Sequence, residues 1–238
     1  MFHIPLVIVG GGVCGLLLAR AIGKKFPELE PIILEKEKYC GDHTTGRNSG
    51  VLHAGIYYHT DSLKHRLCLR GNGLWHELAK ELSAPLKICG KYVIASSDGQ
   101  IFQLDSIYQQ ALENGVSEIR WASVDEIAEL DDWVQIKKAF YSGTTGIIDI
   151  SGILRGLELG LQEYNANVLK ECELISVKKE GGKFIVETSQ DTFTTDWFIN
   201  AGGLESVKIR KNFGLNDLEN YYVKGNYLKT TQDFYKKS

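Results

Sequence analysis

The sequence predicts an α/β fold whose amino-terminal part is built on a parallel sheet, and three observations carry that expectation. Leu6-Val7-Ile8-Val9 is a continuous apolar run of strand length, as a strand buried on both faces requires. Residues 13–25 then place apolar groups at Leu16, Leu17, Ala19 and Ala21, the spacing of a packed helix. Beyond a turn flanked by Pro27 and Pro31, Ile32-Ile33-Leu34-Glu35 reads as a second strand. Strand, helix and strand together make a βαβ opening.

The first strand passes into the helix through Gly10-Gly11-Gly12-Val13-Cys14-Gly15, a G-x-G-x-x-G pattern in its full strand-to-helix context. The first glycine of such a pattern permits a tight turn, the second lets backbone N–H groups approach a pyrophosphate, and the third lets helix and strand pack closely. The helix N-terminus adds about half a unit of positive charge for the phosphates. Glu35 ends the second strand twenty residues beyond Gly15, where a carboxylate can accept hydrogen bonds from ribose hydroxyls. This context predicts a Rossmann-like dinucleotide-binding domain with Gly10, Gly11, Gly12, Gly15, Glu35 and Lys36 at the cofactor. Lys36 and Lys38 leave NADP open as an alternative, since cations there could meet its 2′-phosphate, and Glu35 argues against it. A tight structural turn would use the same glycines.

Further along, residues 61–82 carry a helical pattern that Gly71 and Gly73 are expected to interrupt or bend. Lys91-Tyr92-Val93-Ile94-Ala95 reads as a strand. A helix over residues 98–114 should stop at Gly115, a left-handed cap. Ser123-Val124-Asp125-Glu126 fits a capping box opening a short helix through residue 129. Residues 151–164 suit an amphipathic helix. Residues 174–188 suit a hairpin turned at Glu180-Gly181-Gly182, and Trp197-Phe198-Ile199-Asn200 a further strand.

With 238 residues, 43% of them apolar and 24% charged, the chain can bury a substantial core. A net charge of −3 offers no broad basic field for nucleic acid. No apolar run approaches the ~20 residues of a membrane-spanning helix. The start, MFHIPLVIVG, lacks the basic region and cleavage site of a signal peptide. None of Cys14, Cys40, Cys68, Cys89 and Cys172 forms a CxxC pair, so neither a metal site nor a disulfide framework is expected. Reduced thiols point to the cytoplasm, with a peripheral place on the inner face of the membrane left open.

A second motif, Gly46-Arg47-Asn48-Ser49-Gly50-Val51-Leu52-His53-Ala54-Gly55-Ile56-Tyr57-Tyr58, is more distinctive. It is followed by Ser62-Leu63-Lys64 with Leu67-Cys68, then Cys89-Gly90-Lys91 and Gly146-Ile147-Ile148-Asp149. In sequence and order these segments resemble the L-2-hydroxyglutarate dehydrogenase/oxidase family of D-amino-acid-oxidase-like FAD flavoproteins, from Val7 onward. The resemblance implies FAD as cofactor, with Thr45, Arg47, Asn48 and Ser49 along its pyrophosphate and ribityl side and Gly50 leaving room for it. Arg47 offers a planar fork of donors suited to diphosphate, with a surface cation in a polar loop as the alternative. The resemblance also places the Leu174 backbone at the adenine and Ala201 and Gly202 against the cofactor.

The implied chemistry is oxidation of (S)-2-hydroxyglutarate to 2-oxoglutarate, with electrons passing to a quinone or to oxygen. Such a reaction needs a base for the hydroxyl proton, and His53 titrates in the right range. Covalent flavin attachment and simple positioning of the loop remain alternatives for His53. Tyr57 could hydrogen-bond a substrate carboxylate, or one of Tyr57 and Tyr58 is core. Lys64 matches a family lysine, whereas Arg66 and Arg70 suit a solvated face.

Some segments depart from the family pattern. Ala201-Gly202-Gly203-Leu204-Glu205-Ser206 lacks an aspartate, and Tyr222-Val223-Lys224-Gly225-Asn226-Tyr227 has lysine and asparagine where the family carries arginine and glutamate. The family continues into a second half of the substrate domain. The chain is therefore expected to comprise a FAD-binding domain (residues 1–80 and 145–215) and a truncated α+β substrate domain (residues 81–144 and 216–238). A carboxyl-terminal-half partner chain is a further expectation. The rivals are a glycerol-3-phosphate- or amine-oxidising relative and a non-catalytic nucleotide-binding subunit.

Overall fold

The computed structural model describes residues 1–131 and 135–226, so the expectations placed on Tyr227 and the segment after it lie outside the described residues. Strand β1 (Phe2–Val9), helix α1 (Val13–Lys25) and strand β2 (Ile32–Leu34) form the βαβ opening. Strand β3 (Val51–Leu52) precedes α2 (Leu63–Glu81), β4 (Leu86–Ile88), β5 (Lys91–Ala95) and α3 (Asp98–Glu113). Then come β6 (Ile119–Trp121), α4 (Val124–Asp131), β7 (Lys138–Ser142), β8 (Gly146–Ile148) and α5 (Ile150–Gly160). Strand β9 (Asn167–Leu169), the hairpin β10 (Leu174–Glu180) and β11 (Lys183–Thr188), β12 (Thr192–Asn200) and α6 (Ser206–Lys211) follow.

The main sheet runs β10-β11-β12-β1-β2-β9. Its interior is parallel: β1 lies between β12 and β2, and β2 pairs in parallel with β9. The β10–β11 hairpin extends it antiparallel. The apolar run of β1 divides between two cores. Leu6 and Ile8 meet Leu16 and Ala19 of α1 and Ile153 and Leu157 of α5. Ile4, Val7 and Val9 face Val177, Val186, Phe193 and Ile209 instead. Each such fully buried aliphatic side chain contributes ~1.5–3 kcal/mol, so the central strand is apolar on both faces because both are covered.

Two antiparallel three-stranded sheets complete the architecture, β3-β8-β4 and β5-β7-β6. Helix α3 packs Leu104 and Ala111 with Ala95 and Phe140 in a third core. The β3-β8-β4 sheet joins segments on both sides of the expected domain boundaries.

Helix α2 corrects one expectation. Gly71 and Gly73 do not interrupt it, and it runs for 19 residues from Leu63. Each glycine costs about 1 kcal/mol relative to alanine. Offsetting that, Ser62 caps the helix through the His65 N–H at 3.2 Å, and Ala79 and Trp75 pack into the main core. The helix expected over residues 151–164 starts at Ile150 and tightens into a 3₁₀ turn at Leu161–Tyr164. The capping box holds: the Glu126 N–H donates to Ser123 Oγ at 3.2 Å and the Ser123 N–H to Glu126 Oε2 at 2.8 Å. Arg120 grips the same carboxylate through two 2.7 Å hydrogen bonds and holds it well below the usual carboxylate range. The very short strands β3, β4, β6 and β9 carry no periodicity a sequence can show.

Candidate functional site

The carboxyl ends of β1, β2 and β12 converge on the glycine loop. Gly10 adopts φ +109°, and a Cβ there would sit 2.4 Å from the Ala201 carbonyl oxygen. A Cβ on Gly15 would sit 2.0 Å from the Gly10 carbonyl oxygen. Glycine is thus required at both, at one for conformation and closeness and at the other for closeness alone. The Gly10 N–H donates to the Leu34 carbonyl at 2.8 Å, locking the loop to the end of β2.

Glu35 is buried and accepts two backbone hydrogen bonds, from the Gly11 N–H to Oε2 and from the Glu37 N–H to Oε1, each 2.8 Å. The carboxylate therefore ties the glycine loop to the turn after β2 as well as facing the cleft. Thr45 supplies the cap that Gly12 cannot, accepting the Val13 N–H on Oγ1 at 3.2 Å.

Beside this loop lies a cavity of about 600 Å³, within the usual range for cofactor pockets and outside the carboxyl ends of parallel strands, where α/β folds bind ligands. Gly10, Gly12, Glu35, Lys36, Thr45, Asn48, Leu174, Ala201 and Gly202 all line it. Gly11 and Gly15 stand behind the wall. Arg47 and Ser49 are exposed outside the lining, and Gly50 lies outside it too. Asn48 uses its side chain on its own loop, donating to the Thr45 carbonyl and accepting the Gly50 N–H at 2.7 Å. The structure adds lining residues that the sequence reading missed, among them Cys14, Asp42, His43, Glu173, Ile175, Lys208 and Asn212. Lys208 follows the Ala201-Gly202 pair on a six-residue helix too short to announce itself by periodicity. All five cysteines are free. Burial, with Glu158 second, pushes the Cys40 thiol up to about 12, so Cys40 is inert.

His53 lies away from this cavity, in a hollow of about 10 Å³ lined by His53 to Tyr58 and Lys91. Its carbonyl accepts from Asn72 Nδ2 at 3.1 Å and Cys68 Sγ at 3.4 Å, and Asn72 also donates to the Thr144 carbonyl at 3.0 Å. Helix α2 thereby fixes the His53 backbone while the ring stays accessible. Burial, and next Lys91, lower the imidazole pKa below its ordinary 6.5, which leaves it neutral and able to accept a proton at pH 7. The following loop is anchored from beneath. Asn114 Nδ2 donates to the Gly55 and Tyr58 carbonyls at 3.1 and 2.8 Å, and buried His65 bridges the Asp61 N–H and the Asn114 carbonyl. Tyr57 is half exposed in the same hollow. Lys64 is exposed on the first turn of α2, outside both hollows. Among the described residues no group of three or more His, Cys, Asp or Glu is placed to hold a metal, and no helix is long and apolar enough to cross a membrane.

The family model described as FAD dependent oxidoreductase matches residues 5–237, and the chain belongs to that family. It is 31% identical over 236 residues to the L-2-hydroxyglutarate dehydrogenase of Indibacter alkaliphilus, covering 96% of this chain and 58% of the relative. The human mitochondrial L-2-hydroxyglutarate dehydrogenase is 32% identical, over 94% of this chain and 51% of that protein. A glycerol 3-phosphate dehydrogenase of Caloramator mitchellensis is also 32% identical, over 93% of this chain and 46% of that protein. The chain thus spans about half the length of the curated relatives it matches. Among solved structures, the L-alpha-glycerophosphate oxidase of Mycoplasma pneumoniae with FAD bound superposes with a TM-score of 0.79 at 24% identity, over 89% of this chain and 57% of that one. Glycine oxidase from Geobacillus kaustophilus gives 0.79 at 21% identity, over 90% and 59%. These likenesses establish the D-amino-acid-oxidase-like fold.

Proposed function

We propose that the chain holds FAD in the 600 Å³ cavity and forms the cofactor-binding part of an enzyme that oxidises (S)-2-hydroxyglutarate to 2-oxoglutarate. The observation that carries the cofactor assignment is the convergence of Gly10, Gly12, Glu35, Thr45 and Leu174 on one cavity, because those residues come from four separate segments. Their chemistry fits the group: a glycine cradle at a helix N-terminus for the diphosphate, and a carboxylate at the end of β2 for ribose hydroxyls. Residues 1–80 and 145–215 make this part; residues 81–144 and 216–238 belong to the substrate side. Arg47 and Ser49, exposed beside the cavity, would complete the phosphate contacts by turning inward, and Gly50 and Lys36 would flank the cofactor.

Bound FAD would supply the two-electron acceptor. The chain's own work is to orient the hydroxy acid and take its proton. His53 is the acceptor: neutral at pH 7 and fixed by Asn72. Tyr57 offers a hydroxyl at the same hollow; Lys64 is a more remote substrate contact. Identity to L-2-hydroxyglutarate dehydrogenases over nearly the full chain supports the substrate. A glycerol-3-phosphate reading has similar support, and a quinone or oxygen as terminal acceptor and a carboxyl-terminal-half partner complete the proposal.

The test is the purified chain combined with a separately expressed carboxyl-terminal half of a relative. Flavin absorbance and dye reduction dependent on 2-hydroxyglutarate, and not on glycerol 3-phosphate or glycine, are expected. A colourless chain that takes up no added FAD would sink the cofactor assignment, and glycerol 3-phosphate as the preferred donor would sink the substrate.

A further inference from the structure

We propose that Lys91, which matches no assigned role, is the substrate-anchoring cation of the reaction site: its ammonium, with the Tyr57 hydroxyl, takes a carboxylate of a 2-hydroxy acid whose hydroxyl lies at His53. This deepens the proposed function and rests on it.

Lys91, Tyr57 and His53 share one hollow. At about 10 Å³ it has room for a single water-sized group, which is the size of one carboxylate oxygen and not of a whole substrate. Lys91 Nζ lies 3.4 Å from Tyr57 Oη and 4.8 Å from the centre of its ring. The two donors therefore converge, and Tyr57 remains 49% exposed, leaving the open side to an incoming anion. Lys138 and Lys170, by contrast, are paired with Asp105 and Glu158. Among the described residues no carboxylate pairs with Lys91, so its charge is not already neutralised.

Its position is also built. Lys91 opens β5 opposite Ser142 of β7. The preceding Gly90 has φ +69°, and a Cβ on it would lie 2.0 Å from Tyr141 Oη. Cys89 and Gly90 both donate their N–H groups to the Thr145 carbonyl, at 3.3 and 2.9 Å. That loop is in turn bridged to His53 by Asn72, which donates to the carbonyls of both Thr144 and His53. The cation and the base thus come from distant segments but stand on one hydrogen-bonded frame.

The arrangement has a chemical consequence. The titratable groups facing His53 are Lys91, Tyr57, Tyr58 and Cys68, and Lys91 is the cation among them. After burial, which is the larger cause, it lowers the imidazole pKa. A carboxylate seated on Lys91 would cancel that charge and make His53 a stronger base when the hydroxyl arrives.

The test uses the purified chain with FAD added, the His53 imidazole followed by NMR, and glutarate and inorganic phosphate as unreactive probes. Flavin absorbance reports the cofactor assignment separately, since the His53 signal can be titrated whether or not flavin is bound. Lys91→Met should raise the His53 pKa, and Lys91→Arg should leave it near the wild-type value. Glutarate should shift the His53 and Tyr57 signals in the wild type and in Lys91→Arg, with at least tenfold weaker affinity in Lys91→Met. His53 titrating identically in wild type and Lys91→Met, or glutarate binding within twofold in the two, would overturn the proposal. Phosphate binding more tightly than glutarate with the same Lys91 dependence would overturn the carboxylate assignment.

Discussion

The glycine-loop cavity and the His53 hollow solve opposite problems. At the cavity, lining groups are locked by backbone: Gly10 to Leu34, Glu35 to Gly11 and Glu37, Thr45 to Val13. At the hollow the backbone of His53 is pinned, yet the ring, Tyr57 and Lys91 stand open on one wall. A cofactor that stays bound rewards a rigid, pre-shaped cradle. A reaction site, the role proposed for the hollow, must instead admit and release substrate. The cavity draws its lining from segments at both ends of the described chain, whereas the hollow is lined by residues 53–58 and Lys91.

Substitutions should separate the two regions. The largest effect is expected for His53→Asn in the enzyme reconstituted with a complementing half: kcat should fall roughly 10²–10⁴-fold with FAD still bound, as loss of a general base does. Near-normal turnover would reduce His53 to a loop residue and erase the contrast. Next is Gly15→Val, whose side chain would drive into the Gly10 carbonyl. A loss of about 3 kcal/mol in folding stability, together with loss of bound FAD, is expected, measured by denaturant unfolding and absorbance. Glu35→Ala removes the acceptor of the Gly11 and Glu37 N–H groups, which is also the proposed ribose acceptor. It should weaken FAD by ~1.5–3 kcal/mol, and unchanged affinity by titration would take Glu35 off the ribose.

The pH dependence is a finer probe. His53 has a folded-state pKa below 6.5, so kcat/KM should stay level as pH falls to 6.5 and decline only below the lowered value. Because the unfolded chain takes up that proton first, the same shift makes the folded state less stable as pH drops below 6.5. An acid limb above 6.5 would mean that neither burial nor Lys91 acts on the base. The smallest expected effect is a control: Gly71→Ala, in the open stretch of α2, should stabilise the chain by about 0.5–1 kcal/mol. A loss there would show that the helix needs its glycines after all.

The contrast between the regions is also one between what could and could not be read from the chain. The glycine loop, Glu35 and β1 were legible because each is a local pattern: a continuous apolar run, a fixed glycine spacing, a carboxylate at a strand end. The capping box at Ser123 and the left-handed Gly115 at the end of α3 were legible for the same reason. Helix α2 was misjudged at Gly71 and Gly73, where a local propensity of about 1 kcal/mol per residue gave way to a cap and to packing by Trp75 and Ala79. Lys208 and Glu173 at the cavity were invisible, since nothing in their neighbourhoods distinguishes a lining residue from an exposed one.

By itself, then, the sequence determined the βαβ opening, the dinucleotide cradle and the second motif, because steric and hydrogen-bonding rules act there over a few residues. The tertiary structure alone decided that Lys91, and not Lys64, stands beside His53, that Asn72 ties the loops of His53 and Thr144 together, and that Arg47 lies outside the cavity lining. Those are encounters between segments tens of residues apart, fixed by which sheets pair and which faces must be buried, and no spacing along the chain encodes them.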